Sequence, residues 1–354
     1  MTRCRPSLRA LLASSLFILT PMAAHAADAT LNVLTWCDHE DPSLLAPFEK
    51  AHNVKVHFKD IDSTGAALAV IGQSQPGDWD VLVLDETDTP RLAEMGLLAP
   101  LDPTAFPTAD FFPGIDSPKL SSFNGKTYAV PEKFGYNTVA YNSTVLSAAA
   151  MSDIQAPWKA EYKDRIAIYD YYVPIVAYTA LALGKNPATL SDADLPAIRT
   201  KLSELRHNAA LVGDVTTTQQ ALATGQVDIL VGGGEWVTAG MAKDRPNLTY
   251  LIPTQGGVRW QQGLAVFAGS QKKDLAVAFA QYILTPEAQG KLATSSCYWG
   301  MPANSKAVLK DEDKKLLQWD MQPSYIARTA TYLQMTPAFD KTLQKLWTEV
   351  MQNE

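Results

Sequence analysis

Only three of the 354 residues are cysteine and five are histidine. No C-x-x-C or H-x-x-x-H spacing is present, so the chain offers no zinc-type ligand set. G-x-S-x-G, G-x-x-x-x-G-K-[ST] and H-E-x-x-H are missing too, which removes the common hydrolase, nucleotide-binding and zinc-protease signatures. No apolar run reaches the roughly 20 residues that span a bilayer. Basic excess is lacking as well: the formal charge is −7. An acidic surface argues against nucleic acid and anionic membrane, and its field favours cationic ligands. There is no internal repeat, low-complexity segment, charge block or long flexible linker.

What is present begins with a leader pattern over residues 1–26. Arg3, Arg5 and Arg9 form a basic start, "LLASSLFILT" (residues 11–20) a short apolar stretch, and "AHA" (residues 24–26) small residues where a signal peptidase reads. Cleavage after Ala26 would leave an exported chain with a charge near −10 once the three arginines are gone. Cys4 lies in the basic start. Cys37 and Cys297 remain, either paired or as two buried thiols, since sequence separation does not tell whether they meet.

The mature chain, 47% hydrophobic and 19% charged by the whole-chain count, can bury a core and is long enough for two lobes. Strand and helix patterns alternate along it. "TLNVLTW" (residues 30–36) reads as a strand, and Leu44, Leu45, Phe48 and Ala51 as one face of a helix ended by Asn53. Val54, Val56 and Phe58 alternate as a second strand, and "DVLVLDE" (residues 80–86) reads as a buried third. Thr89-Pro90 opens a helix. This order predicts a parallel sheet covered by helices on both faces. A second unit follows, with strands at "RIAIYD" (165–170), "VDILVGGG" (227–234), "NLTYLIP" (247–253) and "GLAVFAG" (263–269). Between and after them come helices over 195–207, around Leu275, Phe279, Tyr282 and Ile283, and from Thr285-Pro286-Glu287.

In open α/β sheets ligands bind beyond the carboxyl ends of the strands, so the residues found there are the candidates. The first strand ends in Trp36, Cys37, Asp38 and His39, and the third in Asp85 and Glu86. The second unit offers Tyr171 and Tyr172, then Gly232–Gly234 with Glu235 and Trp236. Trp260, Gln261 and Gln262 precede a strand, and "CYWGMP" (297–302) follows a helix. Aromatic faces with nearby carboxylates are the ingredients of a cage for an organic cation. The glycine triplet lets backbone approach something closely. No activated nucleophile is apparent beside His39, and a Cys37–His39 pair lacks an orienting third group, so no catalysis is expected.

These stretches resemble the spermidine/putrescine-binding branch of bacterial periplasmic solute-binding proteins that serve ABC importers. The likeness rests on the order of "LNVLTWCDH" (31–39), "FEKAHNVKV" (48–56), "DVLVLDE", "GKTYAVPEKFGYNTVAYN" (125–142), "WKAEYKDRIAIYD" (158–170) and "GGVRWQQGLAV" (256–266), extended by the segment 302–304. It implies a two-lobed α/β fold of the type II periplasmic binding protein kind, with a ligand cleft between lobes that close on ligand. Lobe 1 would comprise residues 27–137 plus 262–306, and lobe 2 residues 138–261 plus 307–354, the chain crossing near 128–141 and 260–263.

The resemblance places Trp36 and Trp260 at cage tryptophans, His39 where a tyrosine is usual, and Asp85 where a small hydroxyl residue lies. Gln262 takes the place of a carboxylate that grips an amine, and Trp299 lies near another aromatic wall position. Two further carboxylates correspond here to Tyr171 and Pro174, and another cage tryptophan to Gly233, a space Trp236 could refill. Asp38, Asp85, Glu86, Glu132 and Glu235 are candidate replacements for the missing acids. The expected protein is a periplasmic monomer without a cofactor, working with an inner-membrane ABC permease and binding a small cationic amine, polyamine-like. A smaller zwitterion, a quaternary amine, or ferric iron held by Tyr171 and Tyr172 are the alternatives.

Overall fold

The computed structural model describes residues 1–2, 29–61 and 64–352. Apart from residues 1–2, the leader pattern lies outside these residues.

The strands are β1 (Ala29–Thr35), β2 (Val54–Asp60), β3 (Val81–Asp85), β4 (Ser122–Phe123), β5 (Lys126–Thr127), β6 (Ala129–Asn142), β7 (Ile166–Tyr169), β8 (Ala209–Gly213), β9 (Ile229–Gly233), β10 (Leu248–Leu251), β11 (Gly257–Val266), β12 (Met301–Pro302) and β13 (Thr329–Thr331). The first β-α-β unit follows from local chemistry. Asp41 caps the helix Pro42–His52 by accepting from the Ser43 N–H at 2.7 Å. Asn53, at φ 48°, ends it in the left-handed region that asparagine tolerates. The chain can then return as β2, parallel to β1 from Ala29↔Val54 to Thr35↔Asp60.

The main sheet runs β2-β1-β3-β11-β6-β9-β7-β8. Its two ends, β2-β1-β3 and β9-β7-β8, are parallel as expected. Its middle is not: β11 is antiparallel to β3 and to β6, and β6 is antiparallel to β9. The reason is connectivity. The 14-residue β6 pairs with β11 through Asn137 and with β9 from Thr138 onward, so one strand belongs to both halves. β11 begins at Gly257, earlier than its apolar end suggested, and Trp260–Gln262 lie inside it rather than before it.

Helices cover both halves. The helix Lys273–Ile283 buries Ala276, Phe279, Ala280 and Ile283, while Leu275 and Tyr282 are only partly covered. The helix Tyr172–Ala182 seals the far half with Ile175, Tyr178 and Ala180, all fully buried. Each buried Ile or Leu here contributes roughly 1.5–3 kcal/mol relative to exposure. The consequence for function is positional. The carboxyl ends of β1, β2 and β3 face those of β7 and β8 across one gap.

Candidate functional site

That gap is a cavity of about 800 Å³, within the range of small-ligand sites. Trp36, Asp85, Tyr171, Trp260 and Gln262 all line it, so five of the nine expected positions come together. Trp260 is 7% exposed and rests in a niche made by two glycines. A Cβ on Gly135, its partner on β6, would lie 2.5 Å from the indole, and one on Gly300 2.8 Å from it. The Tyr298 ring stands edge-on to Trp260 with centroids 6.1 Å apart.

Asp85 and Gln262 are direct partners across β3 and β11. The Tyr171 hydroxyl donates to Asp85 at 3.0 Å, and the Gln262 amide donates to the Tyr298 hydroxyl at 2.7 Å. The Gln262 carbonyl is buried with no hydrogen-bond partner. Burial first, and Asp88 nearby second, raise the Asp85 carboxyl to about 7 against the opposing bond from Tyr171.

Four expected wall residues are elsewhere. His39 is fully buried because the 3-10 turn Cys37–His39 folds its ring beneath the end of β1. Its Nδ1 lies 2.9 Å from Asp38 and from Thr35 Oγ1, and its Nε2 lies 3.0 Å from Glu132. Burial alone would lower its pKa, but Glu132 and Asp38 prevail and raise it to about 10, so the imidazolium donates to both. Lys133 Nζ donates to Asp38 at 2.8 Å. Burial opposes the Asp38 charge, yet Lys133 and His39 hold its carboxyl well below the usual range. Asp38 and Glu132 are thus occupied and are not replacement acids for the cavity.

Glu86 follows Asp85 but lies beyond β3, opening the 3-10 turn Glu86–Asp88, and it is not among the residues lining the gap. Glu86 is fully buried behind the strand, where the Gln261 amide donates to it, and burial raises it to about 8. Glu235 turns onto β6 and accepts the Tyr136 N–H at 3.1 Å, again raised to about 8 by burial. The close backbone approach allowed by the glycine triplet is also to β6. A Cβ on Gly234 would sit 2.1 Å from the Tyr136 carbonyl oxygen. Trp299 packs by Gly240 instead of on the cavity, and its neighbour Tyr298 takes the wall.

Several lining residues were not anticipated. Asp60, Asp170 and Asp214 each stand at or just past a strand end, the signal that singled out Asp85. Trp347 and Tyr332 come from the distant carboxyl-terminal segment and carried no such signal. Trp347 donates to Asp170 at 2.8 Å, and the Tyr332 hydroxyl donates to Asn137. Cys37 and Cys297 form a disulfide on the cavity wall, so Cys37 carries no free thiol. Tyr171 and Tyr172 do not converge: their rings are perpendicular, and their hydroxyls donate to different carboxylates, Asp85 and Asp340. Among the described residues no cluster of three or more His, Cys, Asp or Glu is arranged for a metal, and no helix is long and apolar enough to cross a membrane.

Comparison with known proteins places this geometry. A family model described as bacterial extracellular solute-binding protein matches residues 43–319. The spermidine/putrescine-binding periplasmic protein of Salmonella typhimurium is 24% identical over 82% of this chain and 83% of its own. The putrescine-binding periplasmic protein PotF of Escherichia coli is 22% identical over 97% of both chains. A crystal structure of the spermidine/putrescine ABC transporter substrate-binding protein PotD from Streptococcus pneumoniae superposes with a TM-score of 0.76. It covers 92% of this chain and 99% of that one at 22% identity. The fold is therefore the two-lobed type II arrangement of periplasmic binding proteins.

Proposed function

This chain belongs to the bacterial extracellular solute-binding proteins, and from that premise we propose that it is the periplasmic binding component of an ABC importer for a small polyamine-like cation. The observation that carries this reading is the lining of the cavity. Nine aromatic side chains and four aspartates line it, and no lysine, arginine or histidine does so among the described residues. Aromatic faces attract a desolvated cation, and ionised carboxylates give it charge-assisted hydrogen bonds. A negative, aromatic wall would leave a carboxylate or phosphate ligand without a counter-charge.

The acids are divided between the two sides: Asp60 and Asp85 end β2 and β3, while Asp170 and Asp214 follow β7 and β8. A ligand cationic at both ends would bridge them and favour the closed arrangement. Asp85 and the unpartnered Gln262 carbonyl supply acceptors for one ammonium group, which has three N–H bonds to place. The solute would be held and released unaltered, the closed form docking on an inner-membrane permease. Periplasmic relatives and the disulfide, which suits an oxidising compartment, support the location.

One observation favours a second reading, a smaller amine that also bears an acceptor. Trp36 and Trp236 line the cavity, and their buried indole N–H groups have no partner. Thermal shift and calorimetric titration against putrescine, spermidine, glycine betaine, neutral amino acids and glutamate test both. A melting-point rise with the diamine and triamine, and none with glutamate, is expected. Response to betaine or amino acids alone would favour the second reading, and no response to any amine would overturn both.

A further inference from the structure

Cys37 and Cys297 are separated by 260 positions, yet their Cα atoms lie 6.0 Å apart in the disulfide. Each is joined in sequence to an aromatic lining residue, Trp36 before Cys37 and Tyr298 after Cys297. Trp36 has support of its own, because it lies between the end of β1 and the 3-10 turn Cys37–His39. Tyr298 has none of that kind: residues 294–300 belong to neither helix nor strand. What fixes Tyr298 comes from outside its segment. Lys133, fully buried on β6, donates to the Tyr298 carbonyl at 3.1 Å and lies 4.1 Å from the ring centroid. The Gln262 amide holds the hydroxyl. The bridge ties the same short segment covalently to the end of β1.

We propose that the Cys37–Cys297 bridge is a positioning element of the binding site, holding Tyr298 in place so that the aromatic cage exists before ligand arrives. This rests on the reading of the cavity as an amine site. A preorganised wall spares the ligand the cost of ordering it, and immobilising one side chain is worth about two- to thirteen-fold in affinity. Binding and bridge formation are then linked reciprocally. A bridge that strengthens binding by a given factor is itself stabilised by that factor when ligand saturates the site. The bridge is open to reagents from the cavity side, since Cys297 is exposed and Cys37 half-buried. A dithiol would reduce it by exchange. The protein gains two electrons and two protons as two thiols, and the dithiol closes to its cyclic disulfide.

The test is calorimetric titration of putrescine and spermidine into the oxidised protein, the Cys37→Ser/Cys297→Ser variant, Tyr298→Ala, and the triple variant, with melting curves on each. The serine variant should fold and bind about two- to thirteen-fold more weakly. Removing the bridge in the Tyr298→Ala background should cost little more, whereas a merely structural bridge would weaken both backgrounds alike. Oxidised protein that binds neither amine would remove the cavity reading and this inference with it. Oxidised protein that binds while the serine variant binds equally well would overturn the inference alone. Should the serine variant not fold, equilibration of the wild-type bridge in a dithiol/disulfide buffer reads the same linkage. Saturating spermidine should shift that equilibrium toward the bridge by the same factor, and an unshifted equilibrium would overturn the proposal.

Discussion

Asp85 is the residue on which the charge chemistry of the cavity turns. Its neighbours are Tyr171, Tyr332 and Asp88, with Gln262 alongside on β11, and its carboxyl is raised to about 7, chiefly by burial. A cation needs the ionised form, so below pH 7 binding must first remove a proton. Affinity for putrescine or spermidine should therefore rise between pH 5.5 and 8, with proton release at pH 6.5 visible as a buffer-dependent heat. Asp85→Asn should weaken binding by about 1.5–3 kcal/mol, the worth of a hydrogen bond to a charged group, and flatten the pH profile. A variant that keeps the wild-type profile would place the proton elsewhere. Trp36→Ala and Trp260→Ala should each cost more than ~1 kcal/mol of binding, as cation–π contacts do when desolvated. Unchanged affinity in both would take them out of the site. Sequence made Trp36 and Asp85 visible because each stands at the end of a recognisable strand, and Trp260 because it precedes one and matches a cage tryptophan in the family likeness. It could not tell that His39 would be turned under β1, since that depends on Glu132, which is 93 positions away.

At the scale of elements, β6 does most to shape the site. It brings Lys133 and Glu132 under the first strand's end, and Gly135 beneath Trp260. A Cβ on Gly135 would also fall 1.6 Å from a Glu235 oxygen, closer than any side chain tolerates. Gly135→Ala should thus destabilise by at least the ~1–3 kcal/mol of core overpacking and weaken amine binding through the displaced indole. Urea unfolding and titration on one sample check both effects. Lys133→Met leaves Asp38 buried with His39 as its remaining ionic partner, and a broken buried pair costs about 3–5 kcal/mol. Wild-type stability in that variant would show the cluster to be dispensable. Strand periodicity was legible for β1, β2, β3, β7, β9 and β10 and for the apolar end of β11, but not for β8, and β6 was expected only from the family likeness. The acids at the ends of β2, β7 and β8 follow the rule that exposed Asp85. The antiparallel middle of the sheet was not legible, because alternation of strand and helix says nothing about a strand shared by two halves.

For the whole molecule, three buried acids set the response to pH. Asp85, Glu86 and Glu235 are raised to between about 7 and 8, chiefly by burial. The native state then holds protons that the unfolded chain has released, and stability must fall as pH rises from about 4.5 to 8. His39, raised to about 10, adds loss in the same direction between its unfolded value near 6.5 and 10. Asp38, depressed, removes stability only on the acid side. The ligand-free melting point should peak near pH 5 and decline toward pH 9, with bound polyamine recovering part of the loss at pH 8 by pairing with Asp85. A flat or rising profile across that window would contradict the assigned burial. Tyr171 reaches Asp85 across the gap, and Arg91 lies 3.6 Å from Asp340.

The sequence by itself determined most of the parallel strands and their covering helices, the acidic and aromatic character of their ends, and the family likeness, because periodicity and composition are local properties. Tertiary structure alone decided which of two adjacent acids faces the cavity, that Cys37 meets Cys297, and that Tyr332 and Trp347 complete the wall. Those outcomes depend on pairing register and on contacts between residues far apart in the chain, and a burial penalty has no value until the neighbours that exclude water are in place.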